Sequence, residues 1–142
     1  MDVTRPALVL GSAQSPDDVD PVAADLAGFD VARRRSGGGV VLVVPGDVLW
    51  IDVILPGTDE RWDRDVGRSM HWVGHTWADA LRSLGFRPTV HTDAPRVDAL
   101  ARQVCFAGVG TGEVLIGGAK VVGISQRRTR SAARFQCAAM LH

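Results

Sequence analysis

The stretch GEVLIGGAKVVGISQRR, residues 112–128, has the pattern of a β-hairpin. Apolar residues fill both arms, and the pair Gly117-Gly118 supplies a flexible turn between them. A second hairpin is predicted upstream, where the apolar runs 40–44 and 48–55 flank a Pro-Gly-Asp turn at 45–47. Hairpins pair neighbouring strands antiparallel, and helical segments are interspersed with these strands. The sequence therefore predicts an α+β fold with a mainly antiparallel mixed sheet flanked by helices.

The segment 59–84 changes to a helical period. Its apolar residues recur at intervals of three or four, which predicts one long amphipathic helix; they are Trp62, Val66, Met70, Val73, Trp77, Leu81 and Leu84. Asp59 is predicted to cap the start of this helix and Gly85 to end it. Shorter elements are predicted as well: helices at 21–28 and 94–104, and strands at 6–14, at 87–93 and from residue 134 onward.

Composition excludes several classes of protein. The chain has 142 residues, a formal net charge of zero, 46% hydrophobic and 23% charged residues, which is ordinary for one globular domain. No apolar stretch approaches the ~20 residues of a membrane helix, and MDVTR does not begin a signal peptide. Cys105 and Cys137 are the only cysteines, and they read as free thiols. We expect a cytoplasmic protein without membrane or nucleic-acid partners.

The chain contains a single lysine. Of its 16 basic residues, 15 are arginine and one is Lys120, while 14 of its 16 acids are aspartate. This bias is typical of a GC-rich genome, in which lysine codons drift to arginine. Chance survival would explain the lone lysine, and so would a site where a compact ammonium is required and a planar guanidinium does not fit.

A basic, glycine-rich loop precedes the first predicted hairpin. In ARRRSGGGVVLVVPG, residues 32–46, three arginines meet a serine and three glycines. Such a loop suits a basic nucleic-acid patch or a cradle for a small anionic ligand. RNA-binding modules interleave exposed aromatics with their basic residues, and neither this loop nor the second arginine cluster at 127–134 offers them. The cradle is therefore favoured.

Other ligand-binding motifs are absent from the sequence. GVGTG at 108–112 is not the dinucleotide-binding pattern G-x-G-x-x-G, and no G-x-x-x-x-G-K-[ST] phosphate-binding loop occurs. His71 and His75 have the i, i+4 spacing of a zinc pair, but no third ligand accompanies them. The sequence therefore predicts no metal site of its own.

Two segments carry a resemblance to a known family. RRRSGGGVVLVVPGDVLW, residues 33–50, resembles the R-R-x-S-G-G-G signature of lipoate–protein ligases. CFAGVGTGEVLIGGAKVVGISQRR, residues 105–128, is similar to the second signature of the wider lipoate ligase, octanoyltransferase and biotin ligase family. In that signature a strand pair carries an obligatory lysine in a G-x-K-x-x-G setting. The resemblance implies a class II aminoacyl-tRNA synthetase/biotin synthetase-like fold, as one catalytic domain over residues 1–142 that looks trimmed at both ends.

The resemblance also assigns roles to particular residues. The family's lysine reaches the acyl carbonyl and the phosphate of an acyl-adenylate, and it corresponds to Lys120. Gly123 would let the backbone approach the ligand, and Gln126 and Arg127 would flank the site. The loop that lines the acyl and adenylate pocket corresponds to Arg33, Arg34, Ser36, Gly37, Gly38 and Gly39.

The sequence also departs from the pattern of these ligases. They usually carry a His-Asp pair and then Gly-Asn after the glycines, whereas this chain has Val43, Val44, Gly46 and Asp47. Cys105 resembles the Cys-Phe of transferases in which a thiolate takes the acyl group from a thioester. A thiolate beside Lys120 is expected to have a lowered pKa and to act as a nucleophile.

Three functions stay open from the sequence. The first is a lipoate–protein ligase that uses ATP and Mg²⁺ to attach lipoate or octanoate through an acyl-adenylate. The second is an octanoyl or lipoyl transferase that acts through a Cys105 thioester, takes its acyl group from acyl carrier protein and needs no cofactor. The third is a non-catalytic family member that binds acyl-adenylate. The expected acceptors are lipoyl domains of 2-oxoacid dehydrogenases or the glycine-cleavage H protein, and biotin stays open as the acyl group.

Overall fold

The computed structural model describes residues 4–141, which form two β-sheets and three α-helices. The strands and α-helices in chain order are β1 (Ala7–Leu10), α1 (Pro21–Leu26), β2 (Asp30–Arg33), β3 (Val41–Val43), β4 (Val48–Pro56), α2 (His71–Ser83), β5 (Pro88–Val90), α3 (Ala99–Gln103), β6 (Val114–Ile116), β7 (Ala119–Arg128) and β8 (Ala132–Met140). A three-stranded sheet has the order β2-β1-β3, with β1 parallel to β2 and antiparallel to β3. A five-stranded antiparallel sheet has the order β4-β8-β7-β6-β5.

The predicted fold class is confirmed, and so is the hairpin at 112–128. The β6–β7 turn lies at Gly117 and Gly118, whose φ angles of 59° and 85° are left-handed. Glycine adopts this conformation without the strain that a side chain brings. Both arms therefore pair as the sequence predicts.

The predicted hairpin at 40–55 is wrong. The chain does turn at Gly46, with φ at 85°, but the strands on either side enter different sheets. β3 pairs with β1, and β4 pairs along its nine residues with β8. The local turn was visible in the sequence, whereas the preferred partner of β4 lies more than 70 residues away.

The predicted long helix is wrong in its first half, because α2 begins only at His71 after a 3₁₀ turn at Arg68–Met70. The carboxylates of Asp59, Asp63 and Asp65 accept backbone N–H groups two or three residues further on. Such contacts stabilise turns at the expense of helix. The helix predicted at 94–104 is likewise shorter, because the Asp98 carboxylate accepts the Ala101 N–H and starts α3 at Ala99.

Two apolar clusters hold the layers together. The larger one lies between α2 and the five-stranded sheet, centred on the fully buried Phe135, whose ring meets Trp72 edge-on at 5.5 Å. The smaller one joins the two sheets through Val41, Val43 and Trp50. Cys105 and Phe106 pack against the smaller cluster. No helix within residues 4–141 is long and apolar enough to cross a membrane.

We expect Phe135→Ala to lower the free energy of unfolding by about 3–5 kcal/mol, because it opens a cavity under α2. Leu26→Ala is the control, since that side chain is 83% exposed, and its cost should stay below ~0.5 kcal/mol. Urea unfolding followed by tryptophan fluorescence measures both. Equal losses for the two variants would contradict this assignment of the core.

Candidate functional site

A cavity of about 870 Å³ opens between the glycine-rich loop and strand β7. Its walls include Gly37, Gly38 and Gly39 on one side and Lys120 with Gln126 on the other. The segment from Gln103 to Cys105 forms part of its rim. Small-molecule sites have volumes of roughly 300–1,000 Å³, so the cavity suits one ligand of nucleotide or acyl-nucleotide size.

Close backbone packing explains the glycine at position 39. A Cβ there would lie 2.6 Å from the carbonyl oxygen of Gln103, well inside contact distance. The approach is tight because the neighbouring Val40 forms a parallel bridge with Val104. Val40 donates to the Gln103 carbonyl at 2.6 Å and accepts from the Cys105 N–H at 3.0 Å. The loop and the cysteine segment are thereby joined along their backbones.

The other two glycines differ from Gly39. Gly38 has a φ of 96°, and a Cβ on it would meet the Arg34 guanidinium at 2.9 Å. A Cβ on Gly37 would meet nothing within 4 Å, and its φ is not left-handed. Two of the three glycines are thus required by the local geometry of the chain, and the third leaves space in the cavity.

Arg34 holds the loop from behind. Its guanidinium donates to the carbonyls of Val9, Gly37 and Gly39 at 2.9, 2.8 and 2.8 Å, and the residue is 6% exposed. Burial lowers the pKa of Arg34. The structure therefore directs the charge of Arg34 at the backbone, where it fixes the shape of the loop.

Ser36 fastens the same loop to the large sheet. Its hydroxyl lies 2.8 Å from the Ser125 hydroxyl and donates to the Gln136 side chain at 2.7 Å. The residue is 1% exposed. Ser125 lies on β7 and Gln136 on β8, so one buried hydroxyl connects the loop to both strands.

Arg33 and Arg127 face a second cavity of about 430 Å³, which Arg34 also lines. The structure does not bring either of them into the wall that contains Lys120. Arg33 donates to the Ser12 carbonyl. The second cavity also contains Arg134, which pairs with Asp52.

Lys120 is buried in an ion pair. Its side chain is 3% exposed, and its Nζ lies 3.0 Å from Oε2 of Glu113. The ammonium also donates to the Cys105 carbonyl and lies 4.9 Å from the centre of the Phe106 ring. A positive charge with a carboxylate, a carbonyl and an aromatic face around it therefore stands at the wall of the larger cavity.

Glu113 is the site residue that the sequence reasoning missed. Oε1 accepts the Ile124 N–H at 3.1 Å, and Oε2 accepts the Gly110 N–H at 2.6 Å as well as the Lys120 ammonium. Its signal was compositional: Glu60 and Glu113 are the only glutamates among 16 acids. The argument that singled out the lone lysine applies equally to them.

Cys105 lines the cavity with its Sγ 3.9 Å from the Lys120 Nζ. Burial raises the pKa of the Cys105 thiol, and the nearby ammonium offsets only part of that effect. The expected lowering of this pKa is therefore wrong for the structure as it stands. Burial also raises the pKa of Cys137, to about 11, and that residue is fully buried.

Gly123 and Gln126 continue the β7 wall. A Cβ on Gly123 would lie 3.4 Å from the Phe106 ring and 3.6 Å from Oε1 of Glu113, at the limit of ordinary contact. The Gln126 amide donates to the Ser69 hydroxyl at 3.0 Å. The structure thus places Lys120, Cys105, Gly37, Gly38, Gly39 and Gln126 around one cavity, with Gly123 beside Glu113.

No group of three or more His, Cys, Asp or Glu side chains suited to a metal occurs within residues 4–141. His71, which the sequence offered as a possible ligand with His75, instead lies 2.9 Å from the Thr111 hydroxyl through its Nε2.

Comparison with known proteins gives a family and a fold. The model of the lipoyl protein ligase A/B catalytic domain matches residues 2–142. A search of curated protein sequences gives no significant match. Among solved structures, a T. acidophilum protein assigned as a lipoate protein ligase, with bound lipoic acid, superposes with a TM-score of 0.76 at 21% identity. The alignment covers 97% of this chain and 52% of that one.

Two further structures are similar. Lipoate-protein ligase A bound with ATP gives a TM-score of 0.75 at 21% identity, over 97% of this chain and 51% of that one. A structure described as a bi-partite lipoate protein ligase and its E2 lipoyl domain from Thermoplasma acidophilum gives a TM-score of 0.74 at 20% identity. That alignment covers 97% of this chain and 46% of the other. The chain therefore spans about half the length of the solved structures that it matches, and at these identities the likeness establishes the fold.

The two glycines at 37 and 39 give a matched test of the loop geometry. Gly39→Ala should lower the free energy of unfolding by about 1–3 kcal/mol, because its Cβ would press on the Gln103 carbonyl. Gly37→Ala should change it by less than ~0.5 kcal/mol. Urea unfolding of both variants measures the difference, and a Gly37→Ala cost equal to that of Gly39→Ala would refute this account of the loop.

The raised pKa of Cys105 predicts slow alkylation near neutral pH, since only the thiolate reacts. Its rate with iodoacetamide, followed by intact mass, should lie below that of free cysteine at pH 7 and rise with pH. The Cys137→Ala background makes the modified site unambiguous. Lys120→Met should slow the reaction further, because the ammonium favours the thiolate. Alkylation of Cys105 faster than free cysteine at pH 7 would show that the pKa is lowered instead.

Proposed function

Because this chain belongs to the family of lipoyl protein ligase A/B catalytic domains, we propose that it activates lipoate or octanoate with ATP and transfers the acyl group to a lysine of a lipoyl domain. In the first step a carboxylate oxygen of the acid attacks the α-phosphorus of ATP, and pyrophosphate leaves. In the second, the acceptor amine attacks the acyl carbonyl, loses a proton, and AMP leaves. An amide bond replaces the mixed anhydride.

The observation that carries this proposal is the placement of Lys120. Its ammonium stands at the wall of a cavity of about 870 Å³, opposite a loop of three glycines. Both steps develop negative charge, on the phosphate oxygens in the first and on the acyl oxygen in the second. A buried ammonium stabilises such charge more strongly than one in water, because little solvent screens it. Lys120 would contact first the phosphate and then the acyl oxygen.

The glycine loop would accept the acyl-phosphate part of the ligand. Gly37 leaves open space beside the cavity, so no side chain there obstructs a ligand. Arg34 fixes the loop carbonyls from behind, which keeps this wall rigid. The apolar side chains of the cavity, among them Leu10, Val66, Met70 and Ile124, would contact the hydrocarbon chain of the acid.

Mg²⁺ would enter together with ATP. Magnesium in nucleotide sites is usually bound by phosphate oxygens, waters and one or two carboxylates. Among the described residues, Asp18 and Glu113 are the carboxylates that line the cavity, and Glu113 is already committed to Lys120 and two backbone N–H groups. Asp18 accepts one backbone N–H, from Ser15, and is the side chain that would hold the ion, whose chemistry would be to neutralise charge on the leaving pyrophosphate.

The second candidate is an acyl transferase that takes its acyl group from a thioester carrier. The observation in its favour is Cys105 Sγ in the cavity wall, 3.9 Å from the Lys120 Nζ. There the thiolate would attack the thioester carbonyl of acyl carrier protein and release the carrier's thiol. We put the transferase second because the pKa of Cys105 is raised, which makes the nucleophilic thiolate the scarcer form at neutral pH.

A similar solved structure suggests the acceptor. It is described as a bi-partite lipoate protein ligase and its E2 lipoyl domain from Thermoplasma acidophilum. A lipoyl domain presents an exposed lysine amine, which the second step requires. We propose lipoyl domains of this kind, or the glycine-cleavage H protein, as acceptors for this chain.

The test is intact mass of an apo lipoyl domain incubated with this chain. One reaction contains ATP, Mg²⁺ and free lipoate or octanoate, and the other contains octanoyl-acyl carrier protein without ATP. An added acyl mass in the first reaction alone supports the ligase, and in the second alone the transferase. Added mass in neither reaction would refute both activities for this chain and favour a non-catalytic family member.

Two substitutions distinguish the role of Lys120 from that of Cys105. Lys120→Arg should reduce acyl transfer by at least about 100-fold, the usual cost of removing a group that stabilises transition-state charge. Cys105→Ser should leave ATP-dependent transfer within about threefold of wild type, with Cys137→Ala as the matched control for loss of a thiol. A Lys120→Arg variant with full activity would remove the mechanism, and an inactive Cys105→Ser variant would favour the transferase.

A further inference from the structure

Glu113 is anchored independently of the lysine that it pairs with. Its side chain is 5% exposed, and each of its oxygens accepts a backbone N–H, Oε1 from Ile124 at 3.1 Å and Oε2 from Gly110 at 2.6 Å. Neither of these two backbone donors involves Lys120. They belong to β7 and to the loop before β6, so the carboxylate occupies a fixed position between two segments of the chain.

The ammonium of Lys120 has three N–H donors to satisfy. One meets Oε2 of Glu113 at 3.0 Å, and another the Cys105 carbonyl. Cys105 Sγ lies 3.9 Å from the Nζ, and the centre of the Phe106 ring lies 4.9 Å from it. Within residues 4–141, Glu113 is the only anionic side chain that the ammonium contacts, and the thiol of Cys105 is the other titratable group beside it.

The contacts of Lys120 differ in how readily a ligand can replace them. Separation from Glu113 would leave a buried carboxylate and a buried ammonium without each other, which is strongly unfavourable. The Cys105 carbonyl is a neutral acceptor, so an anion in its place would add a charge–charge attraction to the ammonium that the carbonyl does not provide. A phosphate or carboxylate oxygen that enters the cavity can therefore take the place of the carbonyl while Glu113 stays in contact.

Building on the proposed function, we propose that Glu113 is the positioning residue for Lys120, and that the Cys105 carbonyl is the contact that an anionic ligand replaces. Glu113 holds the ammonium at the cavity wall before the ligand binds. It does not itself touch the reacting atoms. The length of its side chain matters, because an aspartate is one methylene shorter and cannot reach Gly110, Ile124 and Lys120 together from the same backbone position.

The single lysine allows a direct test that does not depend on activity. Isotopic labelling of lysine places one side-chain ammonium signal in the NMR spectrum of the full chain. Glu113→Gln should displace this signal and increase the exchange of its protons with water, and Glu113→Asp should do so to a smaller extent. Glu60→Gln is the matched control, because Glu60 is the other glutamate of the chain and is exposed. Its spectrum should match wild type.

Kinetics of the ATP-dependent reaction provide the second readout. Glu113→Gln should lower kcat by about 100-fold with the KM for lipoate within about threefold, since the lost effect is on the charge that Lys120 presents to the transition state. Glu113→Asp should recover part of kcat. A role limited to folding would instead lower the melting temperature and leave the kcat of the folded fraction unchanged.

A sulfamoyl analogue of octanoyl-adenylate tests the exchanged contact. Its addition to the wild-type chain should shift the carbonyl carbon signal of Cys105, labelled at that position, together with the ammonium signal of Lys120.

An unchanged Lys120 signal in Glu113→Gln, or wild-type kcat in that variant, would overturn the proposal. If Glu113→Gln does not fold, the Lys120 signal in Glu113→Asp decides, and a wild-type spectrum there overturns it as well. Failure of the wild-type chain to transfer any acyl group would refute the proposed function, while the Lys120 signal would still test Glu113.

Discussion

A buried guanidinium organises the region between the two sheets. Arg34 has no carboxylate contact in the part of the chain described. Its guanidinium donates hydrogen bonds to the carbonyls of Val9, Gly37 and Gly39. Its planar fork can serve several carbonyls at fixed angles, which a lysine ammonium does less well. Because it ties strand β1 to both ends of the glycine loop, it determines the wall of the larger cavity on one side and of the smaller cavity on the other. An arginine at position 34 therefore has a structural use.

The fold was predictable wherever local sequence decides the pairing. The β6–β7 hairpin follows from Gly117 and Gly118, whose left-handed backbone closes the turn without any distant contact. The turn at Gly46 looks the same locally, but the strands that flank it enter two different sheets. The reason is that all nine residues of β4 pair with β8, which is distant in the sequence. Neither hydrophobic period nor turn chemistry contains that information. The same limit applies to α2, where aspartate side chains competed with the helix for backbone donors and the apolar stripe gave no sign of it.

The sequence predicted which positions belong to the site better than it predicted which cavity their side chains line. The sequence motifs located Lys120, Cys105 and the glycine loop, and the structure brings all three to one cavity. The motifs also grouped Arg33 and Arg127 with them, and these side chains line the other cavity. Which face of a loop or strand a side chain occupies depends on register and on packing against distant segments, neither of which one sequence reveals. Glu113 was missed for a different reason: acids are common, and its importance lies in the two backbone donors and the ammonium that it accepts.

The environment of Lys120 and Cys105 bears on the choice between the two chemistries. Burial of the Lys120 ammonium strengthens its interaction with charge that develops beside it, because little solvent screens it. Burial also disfavours a thiolate, and it raises the pKa of Cys105 in spite of the ammonium 3.9 Å away. Glu113 also disfavours the thiolate of Cys105, because the negative charge of the carboxylate that fixes the ammonium raises the pKa of the thiol. The buried Glu113–Lys120 pair therefore supports the adenylate chemistry that we propose first, and the raised pKa of Cys105 weighs against the thioester chemistry that we propose second.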